Sequence, residues 1–135
     1  MTRYVFASLG AGVLFLLLDG FLNVNPLAQR VHRAYGAIAR KSMNLALAVA
    51  IDIAYGFIIA GLYLLLYQAL PGTPGLVRTL SFAIILWILR VVMAALGHWV
   101  MFDVPASSHL YDIVAGLIEM LAISLFCAAT LRPVG

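Results

Sequence analysis

The sequence predicts an all-α polytopic membrane protein, a bundle of four transmembrane helices with a short basic interfacial helix between helices 1 and 2. Three observations predict it. Of 135 residues, 65% are hydrophobic and 10% are charged, against about 25% charged residues in an ordinary soluble domain. Eight basic and five acidic side chains cannot clothe a soluble globule of this length, so the surplus apolar surface is expected to face lipid. Four apolar runs, at about 4–22, 43–68, 79–102 and 110–131, each come close to the ~20 residues that a helix needs to cross ~30 Å of hydrocarbon. The connections between runs are too short to hold a soluble domain, so residues 1–135 read as a single transmembrane domain.

The elements follow in order. Residues 4–18, after a charged start, also fit the plan of a signal peptide, but no small-x-small cleavage site comes next. Asp19-Gly20-Phe21-Leu22-Asn23 leads straight on, and the first run is read as an uncleaved span. Asn25-Pro26 then pairs a cap with proline at the first helical position, predicting an interfacial helix over about 26–40. Leu27, Val31, Tyr35 and Ile38 share one face of it, and Arg30, Arg33, Arg40 and Lys41 spread over the other. Such a helix lies among headgroups and attracts anionic lipid. In the second run Ala46, Ala50 and Ala54, followed by Gly56, Ala60 and Gly61, read as packing notches. Pro71-Gly72-Thr73-Pro74-Gly75 predicts a tight turn between runs two and three. Between runs three and four, Pro105 stops one helix and Ser107 or Ser108 is placed to cap the next. Tyr55, Tyr63, Tyr67, Trp87 and Trp99 are candidates either to line a cavity or to form an interfacial belt, which suits the outer ones.

Charge placement sets the expected orientation. The net charge of +3 is concentrated in the first loop, which points to a membrane surface and not to nucleic acid. Arg30, Arg33, Arg40 and Lys41 lie there, against Arg3, Arg78 and Arg132 on the other side, so loop one is expected in the cytoplasm and both termini outside. A repeated pattern, Asp52-Ile53-x-x-Gly56-Phe57-Ile58 and Asp112-Ile113-x-x-Gly116-Leu117-Ile118, fits two parallel helical hairpins, or chance among common membrane residues. The single cysteine, Cys127, permits no internal disulfide.

The ionisable residues inside the spans carry the most information. Asp19, Asp52, Asp112 and Glu119 lie in apolar runs, as do Arg90 and His98. At 1.5 Å per residue, Asp52 and Glu119 sit about 14 Å from the cytoplasmic ends of their runs and Arg90 about 18 Å from its own. One charge near the bilayer centre costs about 2.5–3.5 kcal/mol even on the lenient scale, so three facing lipid cost about 8–10. They are expected to face inward and meet. One guanidinium cannot compensate two ionised carboxylates in a dry site, so one of the two acids is expected to hold a proton. His98 lies two turns from Arg90 on a similar face, with Asp19 at that shallower level. A polar track from Glu119 and Asp52 through Arg90 to His98 and Asp19 is the result. The alternative is plain: buried Arg–acid pairs also hold helices together, and Asp19 and Asp112 are near enough to helix ends to reach headgroups without a function.

Searches for catalytic chemistry return little. The sequence holds no phosphate-binding glycine loop, no dinucleotide fingerprint, no nucleophile elbow and no zinc-protease motif. Ser108, His109 and Asp112 have the residue types of a hydrolytic triad, but at a helix start serine and aspartate are ordinary caps. Bis-histidine haem needs two histidines at matching depth, and only His98 is inside a run. No catalytic residue, metal ligand or cofactor is assigned.

Phe15-Leu16-Leu17-Leu18-Asp19-Gly20-Phe21-Leu22, a basic tyrosine-containing stretch, and Tyr111-Asp112-Ile113-Val114-Ala115-Gly116 together resemble small bacterial four-helix integral membrane proteins of unknown function. The resemblance covers the whole layout and implies a multi-pass protein of a bacterial inner membrane. It transfers no activity. From the residues, the leading expectation is a binding or transport protein whose Arg90, Asp52, Glu119, His98 and Asp19 serve a proton-linked or anionic small ligand, as a homo-oligomer. The alternatives are a non-catalytic accessory subunit of a larger membrane complex and a membrane enzyme on a lipid-like substrate.

Overall fold

The computed structural model describes residues 2–31, 33 and 44–131, and among these the regular structure is all helical. The chain is an all-α four-helix bundle. Four helical stretches are long and apolar enough to cross a membrane: Thr2–Leu22, Leu45–Ala69, Leu76–Met101 and Ala106–Leu131. The first is α1 (Thr2–Val24), followed by the short α2 (Pro26–Val31). The second is α3 (Leu45–Leu66), prolonged by a 3-10 turn at Tyr67–Ala69. The third joins α4 (Leu76–Leu86) to α5 (Met93–Met101) through a π-helical turn at Trp87–Val92, and the fourth is α6 (Ala106–Leu131).

Each junction has a side-chain cause. Asn25 closes one helix and opens the next: its amide nitrogen donates to the carbonyls of Phe21 (2.9 Å) and Leu22 (3.0 Å), and its amide oxygen accepts from the Ala28 N–H (2.9 Å). Pro26 then occupies the first helical position, where no N–H is needed. Of the predicted interfacial helix, only Pro26–Val31 and Arg33 fall within the described residues; Arg40 and Lys41 lie outside them. Arg30 and Arg33 are exposed. This helix does not lie free on the surface, because the Ser108 hydroxyl donates to the Val31 carbonyl and Asn25 to the Tyr111 hydroxyl (2.9 Å). Ser108 is therefore not the cap predicted for α6, which begins one residue after Pro105. In the turn of residues 71–75, Gly72 (φ 101°) and Gly75 (φ 103°) take left-handed backbone that disfavours any side chain. The Gly75 N–H donates to the Tyr67 hydroxyl (2.7 Å), and the Arg78 guanidinium lies 5.3 Å from the Tyr67 ring centre.

α1 packs most extensively on α3, and α4 and α1 both pack on α6. The α1–α3 crossing is backbone on backbone. A Cβ added to Gly56 would lie 2.3 Å from the Ser8 carbonyl oxygen and 2.4 Å from the Gly12 nitrogen. Of the predicted notches, Gly56 and Ala60 are buried there, whereas Ala46, Ala50 and Ala54 are exposed. Those three precede the crossing point and face away from α1. Phe15, Tyr63, Phe82, Met120 and Ile123 fill the centre of the bundle, with Cys127 beside them. Tyr63 is bonded to Thr79 (2.9 Å) and stacked near Phe82 (5.1 Å between ring centres), so it and Tyr67 belong to the interior and not to an interfacial belt.

Candidate functional site

Arg90 sits within the π-helical turn of the third span. A π turn bonds i to i+5 and is frequent at functional sites. Its guanidinium carbon lies 4.6 Å from the Tyr55 ring centre and 5.1 Å from that of Phe15, a cation between two aromatic faces. Nη1 stands 3.8 Å from Oε2 of Glu119, which is buried to 6% exposure, and Nε has no hydrogen-bond partner among the described residues.

Asp19 lies within hydrogen-bonding contact of both Asp52 and Glu119, and Arg90 acts electrostatically on the latter two. Helices α1, α3 and α6 thus each contribute one carboxyl, and the third span contributes the guanidinium. Three carboxyls and one guanidinium share the interior of the bundle, where a low dielectric disfavours uncompensated charge.

Arg90, Asp52 and Glu119 meet as their shared depth predicts. Asp19 differs: it is the hub between the other acids and not the shallow end of a track. The predicted depths were measured from the ends of apolar runs, as if those ends were level. In the bundle Asp19 is five residues from the end of α1 and Asp52 seven from the start of α3, about 8 and 10 Å, so the two carboxyls come level.

A cavity of about 290 Å³ opens onto this cluster. Tyr55, Arg90 and Glu119 line its inner part, and Leu22, His98 and Asp112, near the ends of their helices, line the outer part. Ala94, Ala95, Ala115 and Gly116 leave the space by being small. His98 is exposed and stacks near Phe102 (5.7 Å). Asp112, expected to be structural or to reach headgroups, lines the outer part of the cavity. Its spacing of seven residues from Glu119, two turns on one face, was the signal. Phe15 was missed, although it stands one turn before Asp19. Beyond Glu119, the wholly buried Met120 and Ile123 close the interior.

Elsewhere the residue types of a triad do not assemble. Ser108 is bound to Val31, and both ring nitrogens of His109 are buried without a partner among the described residues. No group of three or more His, Cys, Asp or Glu among the described residues is arranged to hold a metal ion. Comparison with protein-family models, with curated proteins and with solved structures finds no match.

Proposed function

We propose that this chain is a small membrane protein that binds a small ligand in its interior and couples that binding to protons on Asp19, Asp52 and Glu119. One observation carries the reading: Arg90 and Glu119, which line a cavity, belong to a cluster in which two further carboxyls, Asp19 and Asp52, crowd the same guanidinium. Simple helix glue needs one acid per arginine and no cavity. Two further carboxyls that stay only by holding protons are a site where a ligand's charge and a proton can be exchanged. A volume of 290 Å³ lies at the lower bound of about 300–1,000 Å³ for ligand pockets, which suits a small ligand. In this reading the end bearing Arg30 and Arg33 faces the cytoplasm, the cavity opens to that side, and a second copy of the chain completes a transport path.

The test is thermal stability of the detergent-purified protein from pH 5 to 9, for the wild type, Arg90→Ala, Asp52→Asn and Glu119→Gln. The folded cluster holds protons that exposed carboxylates give up, so wild-type stability is expected to fall as pH rises. An amide donates as a protonated carboxyl does and cannot lose that proton. One amide variant is therefore expected to be neutral or stabilising and to flatten the pH dependence, while Arg90→Ala lowers the melting temperature sharply. Equal destabilisation by all three, with no pH dependence, makes the cluster structural glue and directs the search to a larger complex.

A further inference from the structure

A second cavity, apart from the charged one, lies between α5 and α6. It measures about 180 Å³ and is lined by Trp99, His109, Ile113 and small or aliphatic neighbours. His109 is 5% exposed, and neither ring nitrogen has a hydrogen-bond partner among the described residues. A buried imidazole gives up its hydrogen bonds to water, and native structures compensate such groups with a partner. The other lining side chains are apolar, Ala95, Leu96, Ala106, Leu110 and Ile113, apart from the indole N–H of Trp99, which is not bonded to His109. Among the described residues nothing supplies the imidazole with a partner.

The cavity limits what that partner is. Apolar cavities of about 150 Å³ accept benzene, so this one has room for a single six-membered ring. Its rim is formed by Trp99, Leu96 and Leu110, exposed apolar side chains on the outer surface of two spans, so entry is from lipid. No carboxylate, lysine or arginine lines it, and the lining beside His109 is apolar, which favours a neutral occupant. One polar atom at His109 and an indole at the rim call for one hydrogen-bonding oxygen on an aromatic or quinoid ring.

We propose that the α5–α6 cavity binds the oxygen-bearing six-membered ring of a neutral, lipid-soluble molecule of the quinone or phenol type, with His109 hydrogen-bonded to the ring oxygen and Trp99 packed beside the ring. The site stands independently of the carboxyl cluster.

Three probes separate the contributions in nanodiscs: 4-decylphenol has ring and oxygen, decylbenzene only the ring, and decanoic acid a carboxyl head, ionisable and without the ring. Binding is read by tryptophan fluorescence and by the shift in melting temperature. The phenol is expected to saturate the signal and to bind about tenfold more tightly than decylbenzene, the worth of one hydrogen bond. Trp99→Phe is expected to abolish the fluorescence response. His109→Leu is expected to remove the phenol's advantage while leaving the free protein as stable as wild type or more so, because an unpartnered polar group is gone. Ala106→Leu, which puts bulk into the lining, is expected to block all three. Equal binding of phenol and decylbenzene to the wild type, preference for decanoic acid, or unchanged binding in Ala106→Leu overturns the assignment. So does marked loss of stability in His109→Leu, which means that the imidazole already has a partner in the protein.

Discussion

Arg90 is held by two kinds of force that separate by substitution. Its charge faces Glu119 and its flat guanidinium lies over Tyr55 and Phe15. Tyr55→Leu keeps an apolar side chain and the charge pair but removes one aromatic face, and is expected to cost about 1–2 kcal/mol by thermal melting. Arg90→Lys keeps the charge but loses the plane that both rings contact, and is expected to cost more than Tyr55→Leu. If lysine serves as well as arginine, stacking contributes nothing. At this scale the sequence was partly legible. Arg90, Asp52 and Glu119 stand out because a charge in an apolar run must find a partner. Phe15 does not stand out, because an apolar run offers many apolar side chains and only the packing decides which one meets a cation. The placing of Asp19 and Asp112 is not legible, because nearness to a helix end in sequence does not say whether a side chain reaches the headgroups or the interior.

Helix α1 meets α3 where neither has a side chain, and the crossing has no slack. Gly56→Val puts methyl groups where the Ser8 carbonyl and the Gly12 nitrogen already are. The expected loss is about 3 kcal/mol or more, read as a lower melting temperature, because backbone cannot step aside as a flexible side chain can. Gly97, which meets nothing within 4 Å, is the control; Gly97→Ala is expected to change stability by less than about 1 kcal/mol. The joint at Asn25 serves α1, α2 and α6 together. Asn25→Ala is expected to cost about 1–2 kcal/mol and to raise hydrogen exchange in residues 26–31 before the rest of the bundle. The Asn25-Pro26 junction was legible because both signals are local. Ser108 was read as a cap because its partner, Val31, lies 77 residues away, and nothing near either residue announces the contact.

The layout of four spans follows from hydropathy alone, because lipid admits few solutions for an unbroken apolar run. Tilt and level do not follow, since they are set by which helix touches which, and the α1–α3 crossing fixes them through two glycines among many. Orientation is testable at this scale. Reporter fusions at both termini are expected to lie on the non-cytoplasmic side, with Arg30 and Arg33 on the cytoplasmic side. The reverse result puts the mouth of the charged cavity on the non-cytoplasmic side.

The π-helical turn at Trp87–Val92 makes length inside the membrane a control on chemistry. An α-helix turns about 100° per residue, and a wider turn takes in one residue more without carrying the rest of the helix round. Removing one residue there, such as the exposed Leu89, closes the wide turn into α-helix, and the change stays within the turn where Arg90 sits. Thr79 and Phe82 before it and His98 after it keep their seats. Removing one residue from α5 instead, such as Gly97, has no such absorber: everything beyond it swings by about 100°, and His98 leaves the cavity wall. Either shortened span is just as apolar and still long enough to cross, so two chains with the same hydropathy profile can differ by a single letter and only one of them keep its histidine at the cavity.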